Sequence, residues 1–282
     1  MQPLQWYPGH MAKTRRLIEE NLKYIDVVVE ILDARIPFSG RNPNFDDMLL
    51  NKPRLIILNK YDLADEQLSA QWIKAYHDHG LSVIPVSGQT GIGISKIAPA
   101  ARGLIQDKID REKEKGLNRA VKIMMVGIPN VGKSTIINRL AGKASAKTGD
   151  RPGVTRGKQW IRLKDGLELL DTPGILPPKF EDQTVAQNLA YTGAIKDEIM
   201  NTELLAYGLL EYLRDHYSAD LCARYKLEDI SEMAGHEILA YIGKKRGFVI
   251  SGGEIDMERA ANIVLDEFRS CKIGKITLER PN

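Results

Sequence analysis

The sequence predicts an α/β fold followed by a small all-helical domain, and three observations carry the prediction. The glycine-bearing loop Gly127-Ile128-Pro129-Asn130-Val131-Gly132-Lys133-Ser134 lies between an apolar run at 121–126 that reads as a buried strand and a run at 135–140 with helical apolar spacing. Two β-branched runs, 26–34 and 54–58, alternate with helical stretches earlier in the chain. From about Gln183 onward the apolar spacing is helical.

Taken in order, residues 13–24 show helical spacing through Leu17, Ile18 and Leu22. The strand at 26–34 runs into Arg35-Ile36-Pro37, where proline stops regular structure. A short helix at 46–50 leads to the strand 54–58, which ends on Asn59-Lys60-Tyr61-Asp62. A helix at 70–79, closed by Gly80, precedes a strand at 81–86 that delivers Ser87-Gly88. Residues 94–119 read as one helix ending in a mixed-charge run, 107–115, whose alternating signs suit a solvated face. Beyond the loop, 147–155 is polar and glycine-rich, with the look of a mobile segment; 160–163 and 167–170 form a hairpin across Asp165-Gly166, and its second strand ends on Asp171-Thr172-Pro173-Gly174. Pro177-Pro178 marks a boundary, and helices are expected at 195–200, 204–216, 230–242 and 256–269, with Asp256 as the last N-cap and Gly274 at that helix's end. The domains are therefore expected at 1–178 and 195–282, with 179–194 as a linker.

Composition is that of an ordinary globular chain, 43% hydrophobic and 27% charged over 282 residues. Cys222 and Cys271 lack metal-ligand spacing and suggest a reducing compartment. The start shows no basic-then-apolar signal pattern and no run is long enough to span a bilayer, so a cytoplasmic protein without a membrane partner is expected. Charge is uneven: 195–282 carries 12 Lys+Arg against 16 Asp+Glu, net −4, whereas 1–194 carries 28 against 21, net +7. An anionic partner is attracted mainly by the first two-thirds.

The loop at 127–134 has the form that cradles phosphates. Its glycines let backbone N–H groups curl round phosphate oxygens, the following helix N-terminus adds positive potential, and Lys133 brings a mobile charge to the β/γ phosphates. Asn130, Val131, Gly132 and Thr135 complete the phosphate contacts, and Ser134 is a Mg²⁺ ligand. Asn59-Lys60-Tyr61-Asp62 at a strand end supplies a base reader. The Asp62 carboxylate can accept from both N1–H and the 2-amino group of guanine, donors that adenine does not offer there. Lys60 would pack along the base, Asn59 would tie the loops together, and Ser87-Gly88 would present N–H groups to the guanine O6. Asp171 would hold Mg²⁺ through water, Thr155 would be a second protein ligand, and the Gly174 N–H could meet the γ-phosphate; loss of that phosphate would release both segments. A phosphate-loop kinase of small metabolites would leave Asn59 to Asp62 unexplained.

The order of these elements is rotated. Ras-like GTPases run phosphate loop, switch threonine, Asp-x-x-Gly, Asn-Lys-x-Asp, Ser-Gly; here the last two come first. Such a circular permutation is feasible because domain termini lie close together at the surface, and the charged helix at 94–119 can join the old ends. The fold class expected is thus a Ras-like P-loop GTPase domain with permuted motif order, followed by the helical domain. That domain is fused to the segment after Asp171-Gly174, so nucleotide state is expected to set its position.

Trp6-Tyr7-Pro8-Gly9-His10-Met11, Asp33-Ala34-Arg35-Ile36-Pro37, the 127–134 loop and Asp171-Thr172-Pro173-Gly174 together resemble the circularly permuted GTPases of the bacterial ribosome-biogenesis GTPase A group (the YlqF/RbgA family), over nearly the whole chain. Tyr7 stands where the family's usual residue is Phe. The resemblance implies GTP hydrolysis in late assembly of the large (50S) ribosomal subunit, rRNA contacts by both domains in the GTP state, and release after hydrolysis to GDP. DNA is not an expected partner, and a monomer is expected in solution. Ile175 occupies the position where Ras-like enzymes orient water with Gln; the family's candidate for that task is His10, whose neutral imidazole could accept from water, beside Lys133 and Thr155 as catalytic residues. Asn130 resembles the asparagine with which some such GTPases hold K⁺ beside the phosphates. Asp33-Ala34-Arg35 is open between a switch contact and a strand-end ion pair. Basic clusters for RNA are Lys244-Lys245-Arg246 and Arg269, Lys272, Lys275 and Arg280. The alternative is a regulatory GTPase switching a protein partner through its helical domain.

Overall fold

The seven residues of β1 (Val27–Asp33) are all buried, which only a strand covered on both faces can sustain. The computed structural model describes residues 16, 18–49, 52–142, 160–170, 182–195 and 200–281. In it β1 is flanked by β2 (Arg54–Asn59) and β4 (Val121–Gly127), and the six strands run in the order β3-β2-β1-β4-β6-β5, with β3 (Ser82–Pro85), β5 (Trp160–Arg162) and β6 (Leu167–Leu170). All pairings are parallel except β5 with β6, the expected hairpin. Glu30, charged and in the middle of β1, is 1% exposed and is met by Arg54 of β2 at 3.1 Å, which also binds Asp46 at 2.7 Å.

Helices cover the two faces. On one, α2 (Glu66–Asp78) starts at an Asp65 cap that accepts from the Leu68 N–H at 2.9 Å, and lays Trp72 and Tyr76 on Leu32, Ile56, Leu58 and Val83. Helix α1 (Pro43–Met48) places Phe45 in a cluster with Val28, Met124 and Val126, which residues 18 and 25 also join. On the other face lie α3 (Ile94–Gly103) and α5 (Lys133–Ala141), through Ile97, Ala101, Ile136 and Ile137.

The stretch expected as a single helix at 94–119 is two: α3 stops at Gly103, and α4 (Gln106–Glu114) starts after the buried Ile105. Nor is its charged end wholly solvated. Lys108 and Arg119 each reach Asp26 at 2.7 Å, and Asp26 also accepts from the Lys122 N–H at 2.9 Å. Burial opposes ionisation of Asp26, but the Arg119 and Lys108 bonds outweigh it and hold the carboxyl well below the usual range. The segment that joins β3 to β4, and so makes the permuted order feasible, is pinned at the base of the sheet.

The helical layer comprises α6 (Gln183–Tyr191), α7 (Thr202–His216), α8 (Ser218–Tyr225), α9 (Gly235–Arg246) and α10 (Met257–Arg269). Leu189, Leu209, Leu213, Ile238, Ile242, Val264 and Phe268 share one buried cluster with the sheet. The expected linker at 179–194 therefore holds a packed helix, α6. The helix expected at 230–242 starts later, at Gly235, where Glu211 accepts from the Gly235 N–H and Glu237 from the Ala234 N–H. Asp256 caps α10 as expected, but the helix ends at Arg269, before Gly274. After α10 the chain returns to the sheet: Ile276 N–H donates to Leu63 O (3.2 Å), Leu278 N–H to Arg35 O (2.8 Å), and the Glu279 carboxylate accepts from the Phe38 and Ser39 N–H groups and from Asn188 of α6.

Candidate functional site

Parallel register sets the carboxyl ends of the strands side by side, Asp33 opposite Asn59 and Leu58 opposite Pro85, with Gly127 opposite Ile31. The chain proceeds from β1 toward β2 and β3 on one side, then returns to β4 on the other, so the strand order reverses between β1 and β4. A crevice at the carboxyl end of such a switch point is where open α/β sheets bind ligands.

The phosphate-type loop lies there. A cavity of about 500 Å³ is lined by Ile128, Pro129, Asn130, Val131, Gly132, Lys133, Ser134 and Thr135. Gly132 has φ +92, and a Cβ there would lie 2.3 Å from Asn59 Nδ2, so only glycine lets the two loops approach. Asn59, the last residue of β2, is the knot: its Nδ2 donates to Val131 O at 2.7 Å and its Oδ1 accepts from the Gly88 N–H at 2.9 Å. One carboxamide thus holds the phosphate loop, the loop at 59–62 and the Ser87-Gly88 loop together. Ser87 is fully buried, and its Oγ accepts from the Thr90 N–H.

Residues 61–63 form a short 3₁₀ turn, with the Tyr61 N–H donating to Val86 O. Within it Asp62 Oδ1 is buried with no hydrogen-bond partner among the described residues. A buried carboxylate oxygen without a donor is costly, so this atom is open to an incoming donor. Lys60 pairs with Asp33 at 2.9 Å, and Asp33 takes a bidentate bond from Arg35. Asp33-Ala34-Arg35 is thereby a strand-end ion pair, of the two roles left open. Asn130, at φ +58, turns its Nδ2 to Gly193 O (2.7 Å), in the turn after α6.

His10, Thr155, Asp171, Gly174 and Ile175 lie outside the described residues. For Mg²⁺, the donor among described residues is Ser134, a hydroxyl in the first turn of α5 that lines the cavity, which suits a hard cation held against phosphate oxygens. No group of three or more His, Cys, Asp or Glu side chains fit to hold a metal occurs among the described residues.

Sequence reasoning missed Arg139. It reaches back from α5 to donate to the carbonyls of Gly88 and Gln89, clamping the Ser87-Gly88 loop from outside. Its one sequence signal is a basic residue two turns into the helix after Lys133, too common to single out. Of the expected basic clusters, Arg269 turns inward to Tyr191 O and Ala190 O, and Arg246 turns to Glu267. No described helix is long and apolar enough to cross a membrane.

Comparison with known proteins agrees with this geometry. The family described as 50S ribosome-binding GTPase matches residues 122–221. The chain is 50% identical over 281 residues to Ribosome biogenesis GTPase A of Priestia megaterium, covering 99% of this chain and 97% of that one, and 50% identical over 279 residues to the protein of that name in Bacillus cereus, covering 99% and 94%. The structure of GDP-bound YlqF from Thermotoga maritima superimposes with a TM-score of 0.70 at 28% identity, covering 94% of this chain and 99% of that one. With base reader and phosphate loop drawn together in permuted order, the chain is a circularly permuted P-loop GTPase and belongs to the ribosome biogenesis GTPase A family.

Proposed function

We propose that the protein is a cytoplasmic, GTP-hydrolysing assembly factor in late maturation of the bacterial large ribosomal subunit, bound to rRNA in the GTP state and released after hydrolysis. The observation that carries the nucleotide part is the orphaned Asp62 Oδ1, held by the Asn59 knot beside the phosphate-loop cavity. Guanine N1–H and the 2-amino group supply the donors this carboxylate lacks. The ribosomal part is supported by the names of the relatives and by the net +7 of residues 1–194. The GTPase domain spans 1–178, and the helical domain, proposed for 195–282, gains α6 from the intervening stretch.

In this reading the backbone of residues 130–135 and Lys133 hold the phosphates, and Ser134, Thr155 and, through water, Asp171 hold Mg²⁺. The bound Mg²⁺ supplies neutralisation of charge on the β/γ oxygens. Gly174 N–H contacts the γ-phosphate, Thr155 joins it from the segment before β5, and His10 orients the attacking water where Ile175 has no donor or acceptor. Asn130 donates through Nδ2 to Gly193 O, which leaves its carbonyl end as the ligand for K⁺. Lys244 and Lys245, at the end of α9, with Lys272 and Arg280, are among the exposed cations that the helical domain offers to RNA.

The test is GTP turnover with and without purified large subunits, for wild type and His10→Ala. Subunits are expected to raise wild-type turnover at least tenfold, with a steep fall as salt rises. His10→Ala is expected to lose about a hundredfold of the stimulated rate, the scale of one positioned proton acceptor, with GDP affinity unchanged. Absent stimulation would end the assembly reading, and stimulation without salt dependence would point to a protein partner. Full turnover in His10→Ala would remove that residue from catalysis, and equal rates in Na⁺ and K⁺ would remove the ion from Asn130.

A further inference from the structure

Asp33 closes β1, is 2% exposed, and carries two cations at once. Arg35 binds it through Nε–Oδ1 at 2.9 Å and Nη2–Oδ2 at 2.8 Å, and Lys60 Nζ sits 2.9 Å from Oδ2. Burial works against its charge, but Arg35 and Lys60 outweigh that and keep the carboxyl ionised. Lys60 has φ +59, a left-handed conformation that a non-glycine residue adopts at a cost, and its ion pair to Asp33 holds it there.

Arg35 extends the arrangement into the helical layer. Its Nη1 donates to Arg269 O at 3.3 Å, its guanidinium lies 5.5 Å from the Phe268 ring centroid, and its own carbonyl accepts from Leu278. The Arg269 side chain in turn donates to Ala190 O and Tyr191 O at the end of α6. Gly193, two residues on, accepts from Asn130 of the phosphate loop. The base-reading and phosphate loops, joined directly by Asn59, are thus joined a second time through α10 and α6.

We propose that Asp33 and Arg35 are positioning residues for guanine recognition: Asp33 fixes Lys60 where it meets the base, and Arg35 makes that placement depend on the seat of α10. Nucleotide affinity and the seating of the helical domain are then reciprocally linked. This rests on reading residues 59–62 as the guanine site.

A double-mutant cycle tests it, using a fluorescent GDP analogue on the full chain with wild type, Asp33→Asn, Lys60→Met and the pair. If Asp33 acts through Lys60, each single change raises Kd about tenfold and the double change little more than either. Additive losses near a hundredfold in the pair, or an unchanged Kd in Asp33→Asn, would overturn the proposal. Asp33→Asn leaves Arg35 buried beside a neutral partner and can unfold the chain, so Arg35→Lys provides a second route. Hydrogen exchange at residues 265–270 is expected to slow on GDP addition in wild type and to respond several-fold less in Arg35→Lys. Equal protection in both would overturn the link to α10. A wild-type chain that fails to bind the GDP analogue would instead overturn the guanine site itself.

Discussion

Asp62→Asn is expected to weaken GTP and GDP binding by about a hundred- to a thousandfold and to turn the site toward xanthine nucleotides. In the proposed site the carboxylate would accept two donors of guanine, and each charge-assisted bond is worth about 1.5–3 kcal/mol. The carboxamide retains one acceptor and puts an N–H₂ group against the guanine 2-amino, so one bond is lost and two donors face each other. Xanthine has an oxygen at that position, which the new donor satisfies. Competition of GTP and XTP for a fluorescent GDP analogue reads both effects. An unchanged GTP affinity would show that the buried Oδ1 of Asp62 serves the fold and not the base.

Asn59→Ala is expected to lower thermal stability by roughly 4–24 °C and nucleotide affinity by about a hundredfold. The side chain bridges Val131 O and the Gly88 N–H at 2.7 and 2.9 Å in a 2%-exposed position. Alanine leaves both backbone groups buried without a partner, at about 1–3 kcal/mol each. For a chain of this size each kcal/mol shifts the melting midpoint by about 2–4 °C. The affinity loss follows because the phosphate and base loops are no longer fixed to one another before ligand arrives. Thermal melts with and without GDP separate the two effects: a melt that falls while affinity stays would confine Asn59 to the fold.

Much of the site is legible in the amino-acid string because its chemistry is local. Gly132 must be glycine where the loop meets Asn59, and the proposed guanine reader needs a carboxylate at Asp62; such demands fall on fixed spacings within one loop. The permuted order is legible for the same reason, since it needs only the positions of Asn59 and Lys133. Periodicity likewise exposes β1, β2 and α10, whose buried faces are mostly apolar. What escapes is contact between distant, irregular segments. The return of 276–279 along Leu63, Arg35 and Ser39 uses backbone bonds and one glutamate, which leave no periodic trace. The break between α3 and α4 depends on Ile105 finding the core, and the short α8 buries only Leu221 and Tyr225 of its eight residues. Arg269 reads as a surface cation in the sequence, yet it caps α6, and its carbonyl accepts from Arg35, which is 2% exposed. The contacts that join them to each other and to α6 span more than seventy positions.

In the proposed site, the rotated motif order still assembles one guanine-selective phosphate pocket at the carboxyl edge of the sheet. The most direct measurement is displacement of a fluorescent GDP analogue from the wild-type chain by GTP and by ATP under identical Mg²⁺. GTP is expected to displace it at concentrations roughly a thousandfold lower than ATP, since adenine would leave the Asp62 carboxylate unpaired. Displacement by ATP within tenfold of GTP would contradict it.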